Sequence, residues 1–276
     1  MDQLVNPVGI FDAGIGSFGI VETVKKHCPN QDIIWLADRA SFPLGKKTPD
    51  QLFETGRKCV SFLHSHGADK IIVAANVLTM VVMERLQKAF PELELYGVTP
   101  PVKRAAEYGD FCILGVEAMV KDPKLREFVL HLKPPPIKAS FANASPLIDE
   151  LVETGVFVSD PAKTEARVRD FIGNLTPQQR KVAAYTLSST HLPWLRFAFE
   201  RVCPDTVFLD PAEELVLEMK LPNDGSGQIS AFTTENTELG MTQPELKKML
   251  ELIGYSHIEP NIVPQTELNL NSHGIA

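Results

Sequence analysis

A chain of 276 residues has room for two compact cores, since single cores seldom keep growing beyond about 250 residues. Apolar residues make up 44% and charged residues 22%, the 27 basic against 35 acidic side chains leave a net charge of -8, and the mean hydropathy is -0.04 with a pI near 5.4. That balance excludes a disordered chain, a chain threaded through a membrane by long apolar helices, and a general nucleic-acid binder, which needs a basic footprint.

Taken in chain order, residues 1–7 carry Asp2 and no basic run ahead of a long apolar stretch, so no secretory signal is expected and the protein is read as cytoplasmic. Strands are then predicted at 8–12, 32–38, 70–76 and 95–99, followed by 111–116, 137–142, 181–188, 206–210 and 228–233. Helical patterns separate them, which is the βαβ signature of a parallel sheet, and most of the strands are near-continuous apolar runs, as expected of strands covered on both faces. Helix starts are marked by a hydroxyl or carboxylate cap and proline at Thr48-Pro49, Asp160-Pro161 and Thr176-Pro177, and by Thr242 with Glu245. The run Pro134-Pro135-Pro136 reads as a stiff connection, 221–227 as a loop before the last strand, and 260–276 as a loosely docked tail. Four cysteines, Cys28, Cys59, Cys112 and Cys203, form no C-x-x-C pair and are read as free thiols; the histidines, His64 and His66 included, have no metal-ligand spacing.

The first strand runs into Asp12-Ala13-Gly14-Ile15-Gly16-Ser17-Phe18-Gly19, a G-x-G-x-x-G opening an apolar helix, with Asp38 about 20 residues on. This is a fair dinucleotide fingerprint, but Asp12 would set a carboxylate where a pyrophosphate must approach. A carboxylate there suits an ammonium group better. Similar junctions follow other strands at Pro43-Leu44-Gly45, Ala74-Ala75-Asn76-Val77 and Ser188-Ser189-Thr190-His191. In open α/β sheets the ligand crevice lies outside those carboxyl ends.

In order and spacing these segments, with 147–155 and 232–234, resemble the glutamate racemase family of aspartate/glutamate racemases from about residue 8 to residue 254. The family patterns are D-S-G-x-G-G, P-Y-G, A-C-N-T, a P-L-V-E-x-G-like segment, C-T-H-x-P and F-x-T-T-G. The resemblance implies two doubly wound, parallel-sheet α/β domains with pseudo-two-fold symmetry about a central cleft. The first is expected at 1–98 plus 210–276, with 206–210 a strand of the first sheet, and the second at 99–209. It further implies no cofactor, and members of the family are often homodimers.

The departures are chemical. The family removes and returns the α-proton with two cysteines, and here those positions are Ala75 and Ser189. Alanine has nothing to titrate, and a serine hydroxyl is far less acidic than a thiol. Substrate contacts differ as well: Ala13, Leu44 and Val77 stand where the family has serine, tyrosine and threonine, and 115–119 lacks both threonines of G-T-x-x-T, leaving Val116 and Met119. The resemblance assigns Asp12, Glu153 and His191 as retained auxiliaries of the two cysteines, and Pro43, Gly45, Asn76 and Thr190 as retained substrate-binding positions.

The leading expectation is therefore a racemase-like pseudoenzyme that binds a small carboxylate or amino-acid-like ligand without two-thiol racemisation. Three others stand beside it. One is an active glutamate or aspartate racemase, or a related isomerase or lyase, using Glu153, His191 and Asp12; the others are a regulator of a protein partner and a dinucleotide-binding oxidoreductase. Ser189 beside His191 is also weighed as a nucleophile, which needs a base within hydrogen-bond reach.

Overall fold

The computed structural model describes residues 4–132, 134 and 136–270, which divide into two compact α/β units after Val98 and after Glu214. In the first unit, β1 (Val8–Asp12), β2 (Ile33–Asp38), β3 (Lys70–Val73) and β4 (Glu94–Gly97) alternate with helices Phe18–His27, Pro49–Ser65 and Asn76–Ala89. In the second, β5 (Phe111–Gly115), β6 (Ala139–Asn143), β7 (Ala184–Ser188) and β8 (Val207–Leu209) form a four-stranded parallel sheet in the order β6-β5-β7-β8. The chain re-enters the first unit through helix Pro211–Met219, and β9 (Ile229–Thr234) and β10 (Asn261–Ile262) complete a six-stranded parallel sheet, β10-β9-β2-β1-β3-β4.

Sequence and packing agree where apolar runs are longest. Every residue of β1, β2, β5 and β7 is buried, as strands covered on both faces require. Trp35 on β2 is fully buried, crosses Phe18 edge to face at 4.9 Å, and donates its indole N–H to Ser17 Oγ at 2.8 Å. The capping boxes at Thr48 and Thr176 form with Gln51 and Gln179, and Asp160 accepts from Lys163 N at 2.9 Å. Thr242 precedes helix Gln243–Leu252 without a side-chain cap bond.

Two expectations are corrected. Residues 207–209 belong to the second sheet, pairing with β7 in the register Tyr185↔Phe208. Helix Arg196–Val202 returns the chain beside β7, where Phe208 stacks on Tyr185 and Phe199, each at 5.4 Å. The segment after residue 260 is docked through residue 268: Val263 N donates to Thr233 O at 2.8 Å, and Val263 and Leu268 join the apolar cluster that holds Leu52 and Phe62. Two apolar anchors too far apart for a visible period are enough to seat it. Pro135 of the proline run and residues 271–276 lie outside the described residues.

Candidate functional site

In the first unit the strand order reverses between β1 and β3, and Ala74 N donates to Phe11 O at 2.9 Å, which holds the two carboxyl ends side by side. Asp12 ends β1 at 6% exposure, its Oδ1 accepting from Ala13 N at 2.6 Å; Asn76, equally buried, opens helix Asn76–Ala89. Ala13, Leu44 and Ala75 belong to the unit's apolar cluster and Val77 packs against it, so four positions where the resemblance expects hydroxyls or a thiol are built into the core. Pro43 is half-buried and Gly45 exposed on the connection after β2. The glycine run does not open directly into an α-helix, because the short 3-10 turn Ile15–Ser17 intervenes before Phe18. Asp38 accepts from Thr234 Oγ1 at 2.7 Å and meets Cys59 Sγ at 3.7 Å on its other oxygen.

In the second unit the structure brings three predicted residues into direct contact. His191 Nε2 lies 2.5 Å from Glu153 Oε1, and His191 Nδ1 lies 3.2 Å from Thr190 Oγ1. The neutral imidazole with its hydrogen on Nε2 satisfies both contacts: Nε2–H donates to Glu153 and the Thr190 hydroxyl donates to Nδ1. The His191 and Glu153 side chains are 11% and 13% exposed. Ser189 Oγ instead accepts from His191 N at 3.3 Å. The imidazole is thus engaged by Thr190 and Glu153, while the Ser189 hydroxyl oxygen meets the His191 backbone.

Glu153 owes its position to a local feature that periodicity does not reveal. Residues Ile148–Val152 form a wide π turn, closed by Glu153 N donating to Ile148 O at 3.2 Å, and Gly155 follows in the left-handed region at φ 71. Sequence reasoning also passed over Trp194, whose buried indole N–H has no partner among the described residues. At the end of β5 a Cβ on Gly115 would lie 2.2 Å from Met119 Cε, so the methionine closes over the strand end.

Three of the four thiols are held in the protonated form by their surroundings. Burial, with Asp38 beside it, pushes the Cys59 thiol far up; burial raises Cys112 to about 12 and also raises Cys203. Cys28 is half-buried beyond helix Phe18–His27, away from the strand ends. Among the described residues no group of three or more His, Cys, Asp or Glu side chains is placed to hold a metal ion, and no helix is long and apolar enough to cross a membrane.

Two parallel sheets with acid, amide and imidazole groups at their strand ends define an α/β protein of the racemase fold. The solved glutamate racemase from Thermus thermophilus, in complex with beta-chloro-D-alanine, has this fold, with a TM-score of 0.77, 22% identity, and 95% of this chain and 98% of the other covered. In sequence, the chain is 32% identical over 219 residues to the glutamate racemase of Desulforudis audaxviator, covering 78% of each. It is 26% identical over 266 residues to that of Aquifex aeolicus, covering 94% of this chain and 98% of the relative. No family model matches the chain. The chain belongs to the glutamate racemase family.

Proposed function

We propose that this family member binds a small amino-acid-like carboxylate at the carboxyl ends of its strands and does not racemise it with two thiols. The observation that carries the reading is the pairing of a retained Glu153–His191 contact at 2.5 Å with an alanine at 75 and a serine at 189. Racemisation requires a proton to leave Cα on one face and arrive on the other. The methyl of Ala75 exchanges no proton, and the Ser189 hydroxyl is a far weaker acid than a thiol. In the first unit Asp12 supplies an acceptor for an ammonium group, and Asn76 supplies a neutral hydrogen-bonding group. The amino-acid analogue in the Thermus thermophilus complex supports that class. Self-association as a homodimer goes with the family reading and is checked by sedimentation velocity.

The Glu153–His191 pair favours a second reading, exchange or elimination on one face only, with His191 carrying the proton. Proton NMR of L-glutamate, D-glutamate and L-aspartate in D₂O separates the two. The silent-site reading expects no loss of the Cα–H signal beyond a protein-free blank, together with saturation-transfer signals from at least one of the three. Exchange that disappears in His191→Ala overturns it in favour of one-face chemistry, and absence of any saturation transfer removes the ligand class.

A further inference from the structure

The first unit holds a cavity of about 280 Å³, close to the small end of ligand pockets, whose occupant no part of the racemase reading supplies. It lies beside the carboxyl end of β2, not at the β1/β3 reversal where Asp12 and Asn76 stand. Its walls are the connection after β2, one face of helix Pro49–Ser65 and helix Gln265–Leu270. Leu268, 3% exposed and part of the apolar cluster, fixes that last wall, and Gln265 brings an amide to the rim.

The charges facing this space are unequal in what they have left to bind. Asp38 has its two oxygens engaged by Thr234 and Cys59, and Glu54 is gripped by Arg57, with Nη2 at 2.7 Å and Nε at 3.2 Å. Lys47 and Lys58 line the same cavity, and among the described residues neither ammonium has a hydrogen bond or an ion pair within 4 Å. In a chain of net charge -8, two half-buried ammonium groups line one concave space; Lys58 feels the charge of Glu54 without pairing with it directly, since Arg57 holds that carboxylate. An ammonium is a compact point charge that suits oxygen anions, phosphate above all.

We propose that this cavity binds a small organic oxyanion, a carboxylate or a phosphate ester, held by Lys47 and Lys58 with the Gln265 amide as a neutral donor. Lys47 directly follows the short turn Leu44–Lys46 behind Pro43. An occupied site therefore ties that connection to helix Pro49–Ser65 through Lys58.

Isothermal titration of the full chain with inorganic phosphate, glycerol 3-phosphate and succinate tests this, each raised to about 10 mM, where a millimolar site saturates. The expected result is saturable one-to-one binding of at least one probe, weakened at least about tenfold by Lys47→Gln and by Lys58→Gln, a loss on the order of 1.4 kcal/mol per variant, and unchanged by Lys88→Gln on helix Asn76–Ala89. Tighter glycerol 3-phosphate assigns a phosphate ester, and tighter succinate a carboxylate. No saturable binding, or binding that survives both cavity variants, overturns the proposal. Because Lys47 and Lys58 lie outside the apolar core, circular dichroism of the variants is expected to match the parent, so lost binding is not read from an unfolded chain.

Discussion

Restoring the two thiols alone, as Ala75→Cys with Ser189→Cys, is expected to leave glutamate racemisation weak. On the proposed reading the substitutions return the proton-transfer groups, which are ordinarily worth on the order of 10²- to 10⁴-fold each. They do not return the substrate contacts, because Ala13, Leu44 and Met119 are buried apolar side chains and Val77 and Val116 half-buried ones. Five missing hydrogen-bonding groups at about 1 kcal/mol apiece amount to roughly 5 kcal/mol, a deficit between about 10³ and 10⁴ in kcat/KM. Each added sulfur also enters packed surroundings: Ala75 lies in the apolar cluster, where overpacking costs about 1–3 kcal/mol of stability. The assay is D₂O exchange followed by circular dichroism of D- and L-glutamate, with the unfolding midpoint measured alongside. Turnover within about tenfold of an ordinary family member, in a variant as stable as the parent, would refute the reasoning and show that those five positions do not govern recognition.

Glu153→Gln and His191→Gln are each expected to destabilise the second unit by about 1–3 kcal/mol, with a coupling energy above about 0.5 kcal/mol in the double-mutant cycle by urea unfolding; strict additivity would mean the 2.5 Å contact carries no energy. Asp32 is fully buried and accepts from Val5 N, Ser226 N, Ser226 Oγ and Gln228 N; burial raises its pKa, but these bonds outweigh it and hold the carboxyl below the usual range. A lowered folded pKa contributes stability above the unfolded value of about 3.9, and that contribution is lost as pH falls through the folded value. Asp32→Asn is therefore expected to lower stability near neutrality and to flatten the acid limb of the stability–pH curve, and an unchanged limb counts against the clasp. Leu268→Ala is expected to cost about 2–5 kcal/mol by thermal unfolding, since the side chain is 3% exposed within the cluster; a cost under about 0.5 kcal/mol would mean the last helix is not docked.

The parallel architecture was legible because apolar runs bounded by caps report burial on both faces, and β1, β2, β5 and β7 are all wholly buried. The edges were less so. The strand Val207–Leu209 is three residues long, and its membership in the second sheet rests on Phe208 stacking against Tyr185 and Phe199, which no local pattern encodes. Likewise β10 is two exposed residues whose pairing with β9 follows from the anchors Val263 and Leu268. At the candidate site, residue identities suggested Asp12, Glu153 and His191, but no periodicity encodes the π turn that aims Glu153 at His191 or the contact of Thr190 Oγ1 with the imidazole. The cavity at Lys47 and Lys58 draws on segments more than 200 residues apart in the chain, beyond any motif.

The two units have parted from the family pattern in different ways, and the physics of burial says what each change means. In the first unit, Ala13, Leu44 and Val77, which stand where the family resemblance expects hydroxyl groups, add to or pack against the apolar cluster, so on the proposed reading the losses there bring packing in return. In the second, Glu153 and His191 persist largely out of water, where a carboxylate–imidazole pair is a poor source of stability: its desolvation is expensive, and apolar side chains of similar volume are often as stable or more so. Packing therefore accounts for the changed residues more readily than for the retained ones. A carboxylate that orients an imidazole, and a threonine hydroxyl on the other nitrogen, form an arrangement whose use lies in holding a proton at a defined atom. If the second unit still acts on a ligand, it does so through that imidazole, which is why His191→Ala is the substitution that separates a silent site from a working one.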